Sequence, residues 1–282
     1  MSQRLADDLP RPSGANGIRV WLKSSGYARR LLLGEAGDPW ESAANYLAFF
    51  NQAHGLLKPD VAEVDVGELY RSWVVRHPEL KAEMGAKKRT AFPLKRMLEE
   101  EGPRRLLAEV VEAVVASLRG QTPLVLTIPA PRQWLAEAAQ LAGRSDVEVD
   151  DDTVEDGAMY MADLLRAVSG HPIGGLLLDE GSDDSETVDI EAYRPLINVA
   201  RHYRWGLALR TWPGRASAEF DTIISAPGET PAGDFALGCD ISSPLWADDA
   251  LPTLESGQYY FAEIPVAAQP EAVLQHLARM RG

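Results

Sequence analysis

Short apolar runs alternate along the chain with longer stretches whose apolar residues recur at helical spacing. The short runs are Ile18–Leu22, Val61–Val66, Leu124–Ile128, Gly175–Asp179, Gly206–Arg210, Thr222–Ser225, Phe235–Cys239 and Tyr259–Ile264. Their length and apolar character predict buried strands. Val147–Val149 is a weaker ninth run and is assigned to a linker. Helices are predicted over Glu41–His54, Arg105–Leu118, Pro131–Leu141, Thr153–Ser169, Ile190–Tyr203 and Pro270–Met280. Asp38-Pro39 is a start signal for the first of these, and Gly120 stops the second.

Strands that alternate with amphipathic helices must pair in parallel, because each helix carries the chain back across the sheet. Eight such strands in series predict an α/β fold, a single (β/α)8 TIM-type barrel over residues 18–282. The long segment between the second and third strands reads as a helical insertion. It carries a basic island of Lys81, Lys87, Lys88, Arg89, Lys95 and Arg96, which is either a solvated helical face or a rim over the barrel mouth. Residues 1–17 are polar, with Pro and Gly and no apolar run, and read as a flexible N-terminal arm.

Charge narrows the partners. Lys and Arg number 28 against 42 Asp and Glu, a formal charge of −14, which repels a nucleic-acid backbone. No stretch has the length and apolarity of a membrane span or leader. The lone Cys239 excludes an internal disulfide and a two-thiolate metal site, and a reducing cytoplasm is the expected compartment. No two of the five histidines stand at ligand spacing, so neither a metal nor another cofactor is expected. The expected partner is a small-molecule substrate.

Barrel enzymes place their chemistry at the C-terminal ends of the strands. Asp179 and Glu180 close the run Ile173–Leu178, and side-chain alternation sends only one of them inward. They read as a general acid/base or as strand-end caps. Arg210, with Trp212 two residues on, reads as a clamp for an anion beside an aromatic wall, or as an ion pair with Asp179 or Glu180. Lys23 and Tyr27 follow the first strand and read as anion binding and proton transfer, or as surface residues. The second strand's end offers Asp65 and Glu68, the seventh Asp240 and the eighth Glu263. Asp240 also fits an Asx turn before Ser242-Ser243-Pro244.

The run Val20-Trp21-Leu22-Lys23-Ser24-Ser25-Gly26-Tyr27-Ala28-Arg29 resembles the N-terminal signature VWLMRQAGRY of uroporphyrinogen decarboxylases. Pro123–Pro131, Leu176–Gly181 and Leu237–Pro244 are similar to later segments of that family, in the same order. Leu176–Gly181 and Leu209–Gly214 also resemble segments of the cobalamin-independent methionine synthase barrels. The resemblance implies a barrel, a substrate site at its C-terminal mouth, and a homodimer as the oligomer to expect.

Departures from the family patterns narrow the activity. The decarboxylases' two substrate-binding arginines fall on Ser24 and Tyr27, and their aspartate falls near Gly67 and Glu68. Arg210 and Trp212 occupy the His and Cys places of the zinc methyltransferases, and neither side chain ligates zinc. The expectation is a metal-independent, decarboxylase-like lyase acting on a small carboxylated or aromatic substrate. Asp179, Glu180 and Tyr27 are its expected catalytic residues. Lys23, Arg210, Trp212, Asp240 and Glu68 are its expected substrate-binding residues. Two alternatives are a corrinoid- or folate-linked methyltransferase and a catalytically silent barrel that serves as a partner subunit. The silent barrel's mark would be a mouth closed by Arg–carboxylate pairs.

Overall fold

The computed structural model describes residues 4–10, 17–144, 147–181, 189–215, 217–227 and 235–281. In chain order the elements are α1 (Leu5–Asp8), β1 (Val20–Lys23), α2 (Ser25–Leu33), α3 (Ala43–Leu57), β2 (Ala62–Asp65), α4 (Val66–Arg76), α5 (Pro78–Met84), α6 (Phe92–Glu99) and α7 (Glu101–Leu118). There follow β3 (Leu124–Pro129), α8 (Pro131–Leu141), α9 (Asp151–Arg166), β4 (Gly175–Asp179), α10 (Arg194–Tyr203), β5 (Gly206–Arg210) and β6 (Thr222–Ser225). The chain closes with β7 (Ala236–Asp240), α11 (Ser242–Trp246), β8 (Gln258–Glu263) and α12 (Pro270–Arg281).

All eight strands run parallel in the order β1-β8-β7-β6-β5-β4-β3-β2, a nearly closed (β/α)8 TIM-type barrel. Three strands, β4, β5 and β6, have the bounds their sequence pattern predicts. Only β1 and β2 share no ladder among the described strands. Asp60 bridges this seam at its lower end. Its backbone N–H donates to the Val20 carbonyl, and its carboxylate accepts from the backbone N–H groups of Arg19 and Val20. Higher up, the Trp21 indole N–H crosses the seam to the Glu63 carboxyl.

Strand alternation divides the apolar residues into two layers. Trp21, Val125, Leu177, Ala208, Ile224 and Phe261 fill the lumen. Residues of opposite parity, such as Leu126, Leu176, Leu178, Leu207 and Leu209, face the helices. The insertion packs α6 against α8 and α9. In its basic island Arg89 pairs with Asp156 and Arg96 with Glu83, and none of the six island cations lines the mouth cleft described below, to which this segment contributes Arg71 from α4. It is a layer of the outer wall, as the solvated-face reading predicts.

The flexible-arm expectation needs correction. Residues 1–3 and 11–16 lie outside the described residues, but α1 closes the bottom of the barrel. Leu5 is fully buried, Leu9 nearly so, and the Leu5 N–H donates to the Gly174 carbonyl. Gly175 and Gly206 make room for this plug. A Cβ at Gly175 would lie 2.8 Å from Leu5 Cδ2, and one at Gly206 would lie 2.9 Å from the Ala6 nitrogen. Two leucines four apart in a polar segment were too sparse to predict a core element. Leu5→Ala is expected to cost about 2–3 kcal/mol in urea unfolding, the low end for a buried leucine, because a short terminal plug can settle into the space. A loss below about 0.5 kcal/mol would mean that the plug does not contribute to stability.

Candidate active site at the barrel mouth

The parity that directs Trp21, Leu177, Ala208 and Phe261 inward also directs the residues two positions later. Lys23, Asp179, Arg210 and Glu263 therefore meet at the top of the lumen, joined by Asp240. Asp65 reaches the same level from β2.

Arg210 lies at the centre of an ion-pair web in the mouth. Its side chain is 7% exposed, and its guanidinium sits 4.8 Å from the Phe261 ring. Nε donates to Asp240 Oδ2 at 3.0 Å. One terminal nitrogen donates to Glu263 Oε2 at 2.6 Å and reaches Asp179 Oδ2 at 3.4 Å. Lys23 Nζ completes the web, at 2.6 Å from Asp179 and 3.6 Å from Glu263. Burial alone would raise the Asp179 carboxyl, but Lys23 and Arg210 outweigh it and hold the group below the ordinary carboxylate range. Burial likewise opposes the charges on Lys23 and Arg210, and their carboxylate partners outweigh it and hold both protonated. Asp240 has two roles, because its other oxygen accepts from the Ser242 N–H and hydroxyl in the Asx turn expected from sequence.

A cleft of about 270 Å³ opens beside this web, lined by Asp65, Arg71, Thr127, Gln133 and Glu137 and also by Lys23, Asp179, Arg210 and Glu263 of the web itself. Asp65 caps α4, accepting the Glu68 N–H at 2.9 Å. Arg71 is held at the rim by Glu137 at 2.9 Å and stands 3.8 Å from Asp65. Two buried polar atoms of its lining residues, Thr127 Oγ1 and Gln133 Oε1, have no hydrogen-bond partner among the described residues. Thr127 is only 2% exposed, and an unpaired hydroxyl at that depth costs free energy unless a ligand or solvent meets it.

Two more carboxyls stand behind Asp65. Burial pushes Glu63 up to about 8, against the lowering effect of the Trp21 hydrogen bond. Burial, reinforced by the charge of Asp65, pushes Glu68 up to about 7, and the Ser25 hydroxyl donates to it at 2.8 Å. A carboxyl of this kind exchanges its proton near neutral pH beside Asp65.

Three residues expected at the site lie elsewhere. Tyr27 is on α2, buried among Val20, Leu22 and residues of α12. The segment expected to be a substrate loop is helical from Ser25 onward, which turns the phenol into the outer wall. Glu180 has the parity opposite to Asp179. Its carboxylate accepts from the Tyr193 hydroxyl at 2.7 Å and from Thr211, and pairs with Arg215 at 3.2 Å, away from the mouth. Only its backbone oxygen serves the cleft, by holding the Gln133 amide at 3.0 Å. Trp212 packs its ring against the Arg215 guanidinium, 4.8 Å away, and is not among the residues lining the cleft. Strand parity signalled Glu63 and Thr127, which precede Asp65 and Pro129 by two on their strands. Gln133, Arg71 and Glu137 lie on α8 and α4, where no strand rule reaches.

Among the described residues, no three His, Cys, Asp or Glu side chains group as metal ligands. No helix among them is long and apolar enough to cross a membrane. No protein-family model matches the sequence, and no curated protein matches it. The fold and the mouth therefore define the class, a TIM-type barrel with an acidic C-terminal mouth.

Proposed function

We propose that the barrel is an acid–base enzyme of the lyase type whose mouth receives a small amine-bearing substrate. One observation carries the amine: the buried cations of the mouth are already neutralised. Arg210 and Lys23 face Asp179, Asp240 and Glu263, while Asp65 lines the cleft beside Thr127 and Gln133, whose buried Oγ1 and Oε1 have no hydrogen-bond partner among the described residues. A carboxylated substrate, the sequence-based expectation, would have to displace one of those internal carboxylates from its cation. An ammonium group meets in Asp65 a carboxylate that caps α4 through one oxygen and that Arg71 approaches only to 3.8 Å, and charge-assisted hydrogen bonds are the stronger kind. Asp65 is the proton-transfer residue of this reading, and Glu68 positions it and exchanges its proton near pH 7. The lyase class rests on the resemblance of the strand motifs to decarboxylase barrels.

A panel of small amines and matched carboxylates in thermal denaturation at pH 7 tests the reading. At about a hundred times its Kd a ligand adds about 2.7 kcal/mol, or roughly 5 °C for a chain of this length. Amines should raise Tm and carboxylates of the same size should not. Stabilisation by carboxylates alone would restore the anion-clamp expectation and remove the amine. A second reading, a barrel that binds without catalysis, is favoured by the pairing of Arg210 with three carboxylates of the mouth. Its distinguishing result is amine binding with no turnover of any bound amine.

A further inference from the structure

The unpaired seam between β1 and β2 opens into a crevice outside the barrel. Its walls are Leu22, Ala28, Phe49, Phe50, Ala53 and Leu57, contributed by β1, α2 and α3. Its inner end reaches Glu63 and Asp65, whose side chains belong to the lumen side of β2. Asp65 is therefore a lining residue of both this crevice and the mouth cleft. The free space is about 50 Å³, room for roughly three to four carbon atoms. At the outer end His54 stacks on Phe50, and its buried Nδ1 has no hydrogen-bond partner among the described residues. Burial lowers the His54 pKa, so the imidazole adds no charge at neutral pH. Glu63 is neutral there as well, for the reason given above. The crevice is thus an apolar, nearly uncharged space ending on one carboxylate.

From this juxtaposition we propose that the substrate is an amphipathic amine, with its ammonium on Asp65 and a short alkyl group of up to about four carbons in the seam crevice. The inference rests on the reading of the mouth as an amine site and adds the substrate's apolar part. It also gives the missing β1–β2 ladder a use, because a paired seam would wall Asp65 off from the apolar space.

Isothermal titration of the full chain with methylamine, ethylamine, propylamine and butylamine at pH 7 tests this. Affinity should rise about fourfold per added methylene until the crevice is full. In Ala53→Leu, which fills the crevice from α3, the butylamine-to-methylamine affinity ratio should fall to near one. A wild-type series with no dependence on chain length, methylamine still binding, would overturn the crevice and leave the amine site standing. A chain-length gain that survives in Ala53→Leu would also overturn it. Failure of every amine to bind would overturn both readings.

Discussion

Arg210→Met is expected to destabilise the protein by about 3–5 kcal/mol at pH 7, the usual cost of removing one partner from a buried charged network. The guanidinium is the shared partner of Asp179, Asp240 and Glu263, and its side chain is 7% exposed. Without it, Lys23 alone faces Asp179 and Glu263, and Asp240 keeps only its turn hydrogen bonds. The deficit should narrow as pH falls from 7 to 4, because protonation relieves the carboxylates that have lost their cation. Arg210→Met combined with Asp240→Asn should recover about 1 kcal/mol or more, since it removes one of the stranded charges. Urea unfolding at several pH values measures all three quantities. A single variant within about 1 kcal/mol of wild type would show that the network is not the electrostatic keystone of the mouth.

Glu63→Gln should act in the opposite direction and stabilise the fold. The folded protein holds the Glu63 proton up to about 8, against 4.5 for an unperturbed side chain. Between those values the native state binds a proton that the unfolded chain releases, so stability falls as pH rises. The favourable contribution is complete below pH 4.5 and is lost as pH passes through about 8. Allowing for the side chain's partial solvent contact at the crevice, the group costs the fold about 3 kcal/mol above pH 8. Glutamine keeps an acceptor for the Trp21 indole and has no proton to lose. The variant should gain about 2 kcal/mol at pH 7 and lose much of the slope between pH 4.5 and 8, with Glu68 supplying what remains. A variant as pH-dependent as wild type would place the strained proton on another group.

The barrel was legible because most strands are short apolar runs, and β4, β5 and β6 each end on a polar residue. That pattern located β4, β5 and β6 to the residue. Of the helices that escaped it, two bear on the site. Ser25–Leu33 opens with Ser-Gly directly after β1 and reads as a loop, and α4 follows β2 without a spacer, so Val66 was counted into the strand. Those two boundaries decide the site. Once α2 is a helix, Tyr27 belongs to the wall. Once Asp65 is the last residue of β2, it faces the mouth and caps α4 in the same stroke. Period-two alternation separated Asp179 from Glu180 in principle, but choosing which one faced inward required a reference residue, which Leu177 supplies in the folded lumen. The pairing of Arg210 with Asp179 was among the sequence-stated alternatives, whereas its pairing with Glu263 joins residues 53 apart in the chain. The cleft's remaining lining comes from α4 and α8, whose facing depends on how the helices pack around the barrel.

The most direct test of the amine site is the affinity of propylamine for wild type and for Asp65→Asn, measured by isothermal titration at pH 7. Asparagine keeps the shape and the oxygen that caps α4, and removes the charge. Losing a charge-assisted hydrogen bond of about 1.5–3 kcal/mol predicts affinity lower by about tenfold to a hundredfold, with urea stability little changed. Equal affinity in the two proteins would contradict an ammonium held on Asp65.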